Sequence, residues 1–401
     1  MVGFSPFIGS VIRSEFTRRV PAPAFDSMSR SQRALYLADH PESYTLVTRS
    51  PNDGGVEDDA SVERLIQLGG EALDRILEVG AFETMEQPAF FLYRLKRDDL
   101  VQVGIVGLVD TADYDAGRVK RHEKISHSRA EHLSRHFEAL GVQSSPIAVS
   151  YRSDPHIRSR LDEILGRTNP LVSFVSGDGL DQTVWMIDEA EDLDVLCAAF
   201  SSHDFYIMDG HHRAAAAGQL LARVGEERGG KMLCVAFADD RLNIEPFHRR
   251  VLITAELDVE PVAEALIDAL DLTADATLEH ELPAPGHVGV HLDGQWWCGT
   301  MPPPLTDSPI DSLDPVRLQN QVIGPVLGID PEQGAGQIRY FLDNADRAGL
   351  AQRIDRRNVL FLLRPLTAAE VFAVADAGLD MPPKSTYVTP KPRSGVFLRR
   401  F

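Results

Sequence analysis

The sequence predicts an α+β fold with a mixed sheet and a phosphate-binding loop at a strand-to-helix junction. Short apolar runs typical of buried strands, such as residues 205–208, alternate with segments such as 61–79, where apolar residues recur at helical spacing. A loop of glycine and basic residues separates one of these strands from an alanine-rich helix. With 401 residues, 43% of them hydrophobic, the chain is long enough for two or three packed units.

Residues 1–175 are predicted to form an N-terminal α/β segment. Apolar runs bounded by charged or turn residues indicate its strands, and Gly141 marks the end of a polar helix. The predicted elements are a helix over 61–79, strands over 89–95 and 100–108, a helix over 128–140 and a strand over 146–151.

Residues 176–250 are predicted to be the phosphate-binding core, and residues 251–401 a C-terminal α/β segment that packs on it. The core pattern is strands over 183–187 and 205–208, a helix over 213–224 and a strand over 232–237. In the C-terminal segment Asp293-Gly294 indicates a two-residue hairpin. Thr367 with Glu370 indicates a capping box that begins a helix. Further helices are predicted over 259–270 and 315–327.

Composition restricts the class of partner. A net charge of -20 and a pI near 5.0 argue against a general nucleic-acid binder, which usually presents a basic face. Three dispersed cysteines suit a reducing compartment. No apolar run approaches the roughly 18 residues that a membrane span needs. We therefore expect a cytoplasmic protein without a membrane partner, and homo-oligomerisation remains open.

The segment Asp209-Gly210-His211-His212-Arg213, called the DGHHR loop below, is the most informative part of the chain. The first turn of a helix has free N–H groups and the positive end of the macrodipole, so it stabilises an anion. Gly210 lacks the Cβ that would keep a phosphate from the backbone, and the next three residues add basic groups. Alternatively, Asp209 merely caps the helix, or the histidines bind a metal ion whose other ligands are not evident nearby.

A second cluster, Gly117 to Lys124, places four basic residues and a histidine around one carboxylate. Its last four residues, Arg121-His122-Glu123-Lys124, are called the RHEK loop below. A carboxylate near bound phosphate could take the proton of an attacking hydroxyl, which makes Glu123 a candidate base. The alternative is a solvated charged face without function.

The C-terminal stretch 381–392 is stiffened by prolines and carries two lysines. We expect it to pack back on the domain and to bring Lys384 near the bound phosphates. A purely structural role is the alternative.

Four motifs in order along the chain resemble the bacterial and archaeal domain-of-unknown-function family 1015. They are PAPAFD at 21–26, RHEK at 121–124, DGHHR at 209–213 and MPPKST at 381–386. That family is similar to the ParB/sulfiredoxin superfold, which implies a ParB/sulfiredoxin-like core in residues 176–250. Phe25, Val388 and Thr389 depart from the family pattern and weaken the inference of a shared substrate pocket.

The resemblance extends to free serine kinases, which phosphorylate free L-serine with ADP or ATP. It implies a nucleotide cofactor, a glutamate base and catalytic residues in the DGHHR loop, and we place Mg²⁺ at Asp209. The catalytic candidates are Glu123, Asp209 and His212. The nucleotide-binding candidates are Arg121, His122, Gly210, His211, His212, Arg213 and Lys384.

Three functions compete at this point. The first is a nucleotide-dependent phosphotransferase acting on a small hydroxylated metabolite, with free L-serine as the first candidate. The second is a non-catalytic nucleotide-binding switch. The third, sulfiredoxin-like redox repair, needs a cysteine beside the phosphate loop, and none of the three cysteines lies in a loop motif.

Overall fold

The computed structural model describes residues 2–23, 28, 30–48, 61–254, 257–329, 336–342 and 347–401. The chain forms two compact units, residues 1–243 with 390–401 and residues 244–389. Both units combine helices with β-sheet, which confirms the predicted α+β class. Residues 24–26 of the PAPAFD motif lie outside the described residues.

The strands are numbered here in chain order. They are β1 Phe4–Ser5, β2 Ser10–Ile12, β3 Phe82–Thr84, β4 Phe90–Arg97, β5 Leu100–Asp110, β6 Val119–Lys120, β7 Val142–Gln143, β8 Ile147–Tyr151, β9 Val172–Val175, β10 Asp181–Ile187, β11 Phe205–Asp209, β12 Lys231–Ala238, β13 Ile244–Glu245, β14 Phe247–Leu252, β15 Thr273–Ala274, β16 His287–Leu292, β17 Gln295–Thr300, β18 Ile338–Leu342, β19 Asn358–Leu362, β20 Tyr387–Val388 and β21 Phe397–Arg400.

The helices are numbered in the same way. They are α1 Arg30–Asp39, α2 Val62–Glu78, α3 Ala112–Asp115, α4 His127–Leu140, α5 Pro155–Arg167, α6 Ala190–Phe200, α7 His211–Val224, α8 Glu226–Gly229, α9 Val259–Leu270, α10 Asp314–Leu318, α11 Gly324–Leu327, α12 Arg347–Arg353 and α13 Ala368–Asp376. A π-helical segment, Gln319–Ile323, joins α10 to α11.

A mixed sheet forms the centre of the first unit. Its strand order is β6-β11-β8-β12-β5-β4-β10-β9, and β1 pairs with β5. The pairs β6 with β11 and β8 with β12 are parallel, and the others are antiparallel. The sheet includes strands from both sides of residue 175, so the boundary expected there does not separate two compact units. A second sheet of the same unit has the order β3-β2-β21-β7.

Side chains that alternate along the central strands form two apolar cores, one on each face of the main sheet. Along β4, Phe91 and Tyr93 belong to one apolar cluster, whereas Phe90 and Leu92 belong to the other. Successive side chains of a strand point to opposite faces. A strand that is covered on both faces is therefore a continuous apolar run in the sequence, as the first residues of β4 are.

The second unit contains a six-stranded sheet of order β15-β17-β16-β19-β14-β18. The predicted hairpin is confirmed: β16 pairs with β17, and Asp293 and Gly294 both have positive φ angles of 48° and 79°. A type I′ turn requires positive φ at both central residues. The predicted capping box of α13 is also confirmed, because Thr367 and Glu370 exchange side-chain-to-backbone hydrogen bonds.

One side chain joins the two points at which the chain leaves and re-enters the first unit. The Gln102 side-chain amide donates to the carbonyl of Pro390 at 3.0 Å, and its oxygen accepts from the backbone N–H of Asn243 at 3.3 Å. Gln102 is buried, so neither polar end is left to solvent. Across the described parts of the chain, no helix is long and apolar enough to span a membrane.

Candidate functional site

The parallel pairing of β6 with β11 places the two polar loops side by side. Val119 pairs with Phe205, and Lys120 pairs with Tyr206. Because both strands run in the same direction, the segments that follow them emerge at the same sheet edge. The RHEK loop follows β6, and the DGHHR loop follows β11. The structure therefore brings the RHEK and DGHHR loops together.

Helix α7 begins directly after Gly210, which has a φ angle of 100° and provides no side-chain cap. The helix starts at His211, two residues earlier than predicted, so the basic residues of the loop form its first turn. The first backbone bond runs from the N–H of Ala214 to the carbonyl of Gly210 at 3.0 Å. The N–H groups of the three residues before Ala214 lie ahead of this first bond and have no partner within the helix. A helix start that binds an anion needs N–H groups of this kind.

Arg213 folds back over the loop. A Cβ at Gly210 would lie 2.8 Å from the Arg213 Nε, so glycine makes room for the guanidinium as well as for the backbone conformation. The guanidinium donates to the carboxylate of Asp209 and to the carbonyls of Ser145, at 3.0 Å, and Pro146. The predicted contact of Arg213 with a phosphate stays a prediction. Several of its N–H groups already donate hydrogen bonds to Asp209, Ser145 and Pro146.

Asp209 lies between two cations. Its Oδ2 accepts from Arg213, and its Oδ1 accepts from the ammonium of Lys391 at 2.7 Å. Burial alone would raise the pKa of this carboxyl, but Lys391 and Arg213 outweigh it and lower the pKa to about 2. Both oxygens thus have cationic partners. The Mg²⁺ role expected of Asp209 stays a prediction, and both carboxylate oxygens are already engaged by cationic side chains.

A second group of side chains joins the two loops. The Glu123 Oε2 lies 3.2 Å from the His211 Nδ1, and the rings of His122 and His211 meet edge to face with centroids 4.5 Å apart. His122 is fully buried and His211 nearly so, whereas Glu123 is partly exposed. Neither ring nitrogen of His122, nor the Nε2 of His211, has a hydrogen-bond partner among the described residues.

Burial and proximity shift the pKa values in this group. Burial, reinforced by His211, lowers the pKa of His122 to about 3. For Glu123, burial raises the pKa, but the bond from His211 and the charges of both histidines lower it to about 2. At neutral pH His122 is therefore a neutral imidazole and Glu123 an ionised carboxylate.

His212 occupies the more open side of the same helix start. Its Nε2 accepts a hydrogen bond of 3.1 Å from the backbone N–H of Ser126, just before α4. Burial and the nearby Arg129 lower its pKa. Its Nδ1 then carries the ring proton and can act as a donor.

The remaining predicted residues lie in different places. Arg121 is exposed at the start of the RHEK loop. Lys384 belongs to the second unit, where its ammonium lies 4.9 Å from the ring centroid of Phe247, so its predicted phosphate contact stays a prediction. Lys391 was not predicted from the sequence as a site residue. The available signal was that it is the second lysine of the same proline-rich stretch.

Comparisons with solved structures give likenesses at low identity. SbnI with C-terminal truncation from Staphylococcus aureus is 14% identical, with a TM-score of 0.39, over 72% of this chain and 85% of that one. Free serine kinase variants are also 14% identical. The complex with AMP has a TM-score of 0.35 and covers 72% of this chain and 90% of the kinase chain. The complex with ADP has a TM-score of 0.36 and covers 75% of this chain and 95% of the kinase chain. These likenesses assign no role to any residue here.

No curated protein matches the chain significantly. The sequence model described as "Protein of unknown function (DUF1015)" matches residues 4–316, which is more than half of the 401 residues. This match confirms the family expected from the four motifs, of which PAPAFD, RHEK and DGHHR lie within the matched residues. The chain belongs to the DUF1015 family.

Proposed function

We propose that the protein is a nucleotide-dependent phosphotransferase acting on a small hydroxylated metabolite, with free L-serine as the first candidate acceptor. The observation that carries the proposal is the start of α7. Gly210 has positive φ there and supplies no capping side chain, and the N–H groups of the first turn precede the first intrahelical bond. Such a helix start stabilises a phosphate through the backbone N–H groups and the macrodipole.

Cationic groups lie close to this helix start. Asp209 has two cationic partners, Lys391 and Arg213, whose charges exceed its own by one. The ionised Glu123 beside His211 is the negative charge that opposes this excess. His212 adds a ring donor on the open side. In the proposal these groups, with Gly210, hold the phosphates of ADP or ATP.

The transfer step follows from this placement. The acceptor hydroxyl oxygen forms a bond to the terminal phosphorus, the bond from that phosphorus to the bridging oxygen breaks, and the nucleotide leaves with one phosphate fewer. The hydroxyl proton passes to Glu123, the carboxylate nearest the loop. The low pKa of Glu123 makes it a weak base. Phosphoryl transfer depends mainly on positioning and charge. The main contribution of Glu123 is therefore to orient the acceptor.

Calorimetric titration with ADP, ATP, CTP and GTP tests the binding half of the proposal. We expect one or more of these nucleotides to bind, and His212→Ala to weaken binding about tenfold because one hydrogen bond to a charged group is lost. The matched control is His156→Ala, which changes an exposed histidine at the start of α5 and should bind nucleotide like the wild type. If the wild type binds none of the four, the proposal fails.

Phosphorus NMR of mixtures with L-serine and other small alcohols tests the transfer half. We expect Glu123→Gln to lose turnover while its nucleotide affinity stays within a factor of two or so of the wild type, since the hydroxyl-facing group and not the phosphate site is changed. If Glu123→Gln loses nucleotide binding instead, the acceptor role is refuted.

One observation favours a second candidate, a nucleotide-binding switch. The C-terminal segment is tied to the DGHHR loop through Lys391 and Asp209, so a bound phosphate that competes for Lys391 would change that contact. This candidate predicts nucleotide binding and ligand-dependent oligomerisation without turnover of any acceptor. A cytoplasmic location is part of either proposal.

A further inference from the structure

We propose that His122, Glu123 and His211 form a binding site for a single divalent transition-metal ion, with Zn²⁺ the first candidate. Binding of the ion does not depend on the proposed function. Only the role assigned to the ion below rests on it.

The three side chains present a compact donor set. One ligand atom from each, two imidazole nitrogens and one carboxylate oxygen, lies within 4.8 Å of the others. Donors that share one zinc ion at about 2.1 Å lie at most about 4.2 Å apart. Glu123 is partly exposed and can make part of the small adjustment required.

The unpartnered nitrogens are the second, independent observation. His122 is fully buried, yet neither of its ring nitrogens has a hydrogen-bond partner in the described part of the chain, and the same is true of the His211 Nε2. Buried imidazole nitrogens are normally paired with protein or water. A metal ion bound by one nitrogen of each ring would partner two of these three nitrogens and accounts for two such rings meeting at 4.5 Å.

The fold brings the donors of this set together. Glu123 and His122 follow β6, and His211 is the first residue of α7 after β11, so the parallel strand pair fixes the distance between the two loops.

The chemistry of the donors selects the class of ion. Two imidazoles and one carboxylate suit Zn²⁺, Mn²⁺, Co²⁺ or Fe²⁺, whereas Mg²⁺ prefers oxygen ligands in an octahedral shell. The site thus differs from the Mg²⁺ site expected at Asp209, whose oxygens both face cations.

Three protein ligands leave at least one coordination position open, as in catalytic zinc sites. His211 is also part of the helix start proposed to hold phosphate, so in the proposed function the ion lies beside the nucleotide site. Glu123 then contributes one oxygen to the ion and can keep the other for the acceptor hydroxyl.

Cobalt titration without nucleotide tests the site. Protein stripped with EDTA is titrated with Co²⁺, followed by visible absorption, and bound Co²⁺ is then displaced with Zn²⁺. We expect one ion per chain, no displacement by excess Mg²⁺, and at least tenfold weaker binding in Glu123→Gln and in His211→Gln. Matched controls are Glu131→Gln and His156→Gln, which change exposed side chains of α4 and α5 and should bind like the wild type.

Circular dichroism and thermal melting of each variant show whether it is folded. Glu123→Gln alters a partly exposed side chain, so it keeps the test decisive if His211→Gln does not fold. Binding of Co²⁺ by folded Glu123→Gln with wild-type affinity, or failure of the wild type to bind a single ion, would overturn the metal site. Nucleotide binding without metal binding would refute this site and leave the proposed function standing.

Discussion

The ammonium of Lys391 lies 2.7 Å from the Oδ1 of Asp209, although the two residues are 182 positions apart in the chain. The pair connects the segment that returns to the first unit with the residue that ends β11. It also supplies the charge that keeps Asp209 ionised beside Arg213. The conformation of the DGHHR loop is therefore linked to the last residues of the chain.

Lys391→Met should destabilise the first unit by about 1–3 kcal/mol, because a partly buried hydrogen bond to a charged group is lost. Urea unfolding followed by circular dichroism measures the change. Lys96→Met, which removes an exposed lysine from β4, is the matched control and should change stability by no more than about 0.5 kcal/mol. Equal effects of the two substitutions would show that the Lys391 pair is energetically unimportant.

Acid should remove a contribution of about 2 kcal/mol that comes from Asp209. Its pKa is lowered from 3.8 to about 2 in the folded protein, so the stabilisation is complete above pH 4 or so and is lost as the pH falls through 2. Urea midpoints measured across this range give the curve. Asp209→Asn should flatten it, and an unchanged curve in that variant would contradict the assignment.

His122 should make the protein less stable as the pH falls from about 6.5 towards 3. Its folded-state pKa lies below the unfolded value, so the unfolded chain binds the proton first, and stability drops by about 1.4 kcal/mol per pH unit in this window. The measurement is urea unfolding with EDTA present, which excludes competition by metal ions. His122→Asn should remove this part of the slope, whereas His156→Asn, at an exposed position, should retain it.

Gly210→Ala should cost more stability than Gly117→Ala. Both glycines have positive φ, 100° and 70°, so each substitution incurs about 1 kcal/mol of backbone strain. A Cβ at Gly210 would additionally lie 2.8 Å from the Arg213 Nε, whereas a Cβ at Gly117 would have no atom of the described residues within 4 Å beyond its chain neighbours. Thermal unfolding of the two variants gives the difference, and equal losses would mean that Arg213 moves aside without cost.

Local patterns carried most of what the sequence could predict. The strand-to-helix junction at Gly210, the hairpin at Asp293-Gly294 and the capping box at Thr367 depend on neighbouring residues, and each is present in the structure. Family membership was likewise predicted from short motifs.

The relationships that build the site depend on distant pairing and were not predictable in this way. The pairing of β6 with β11 brings Glu123 to His211, and the return of residues 390–401 brings Lys391 to Asp209. Neither relationship leaves a periodic signal in the chain. The histidine and carboxylate donors of the proposed metal site belong to two motifs, so no single motif showed the usual ligand spacing.

The bridge made by Gln102 has a consequence for engineering. Because one side chain binds both Asn243 and Pro390, the two ends of the second unit are held at neighbouring points of the first. The second unit is thus an insertion in a host domain, and a short glycine–serine linker could replace residues 244–389. Such a deletion would separate whatever the host does alone from whatever requires the inserted unit, including the predicted phosphate contact of Lys384.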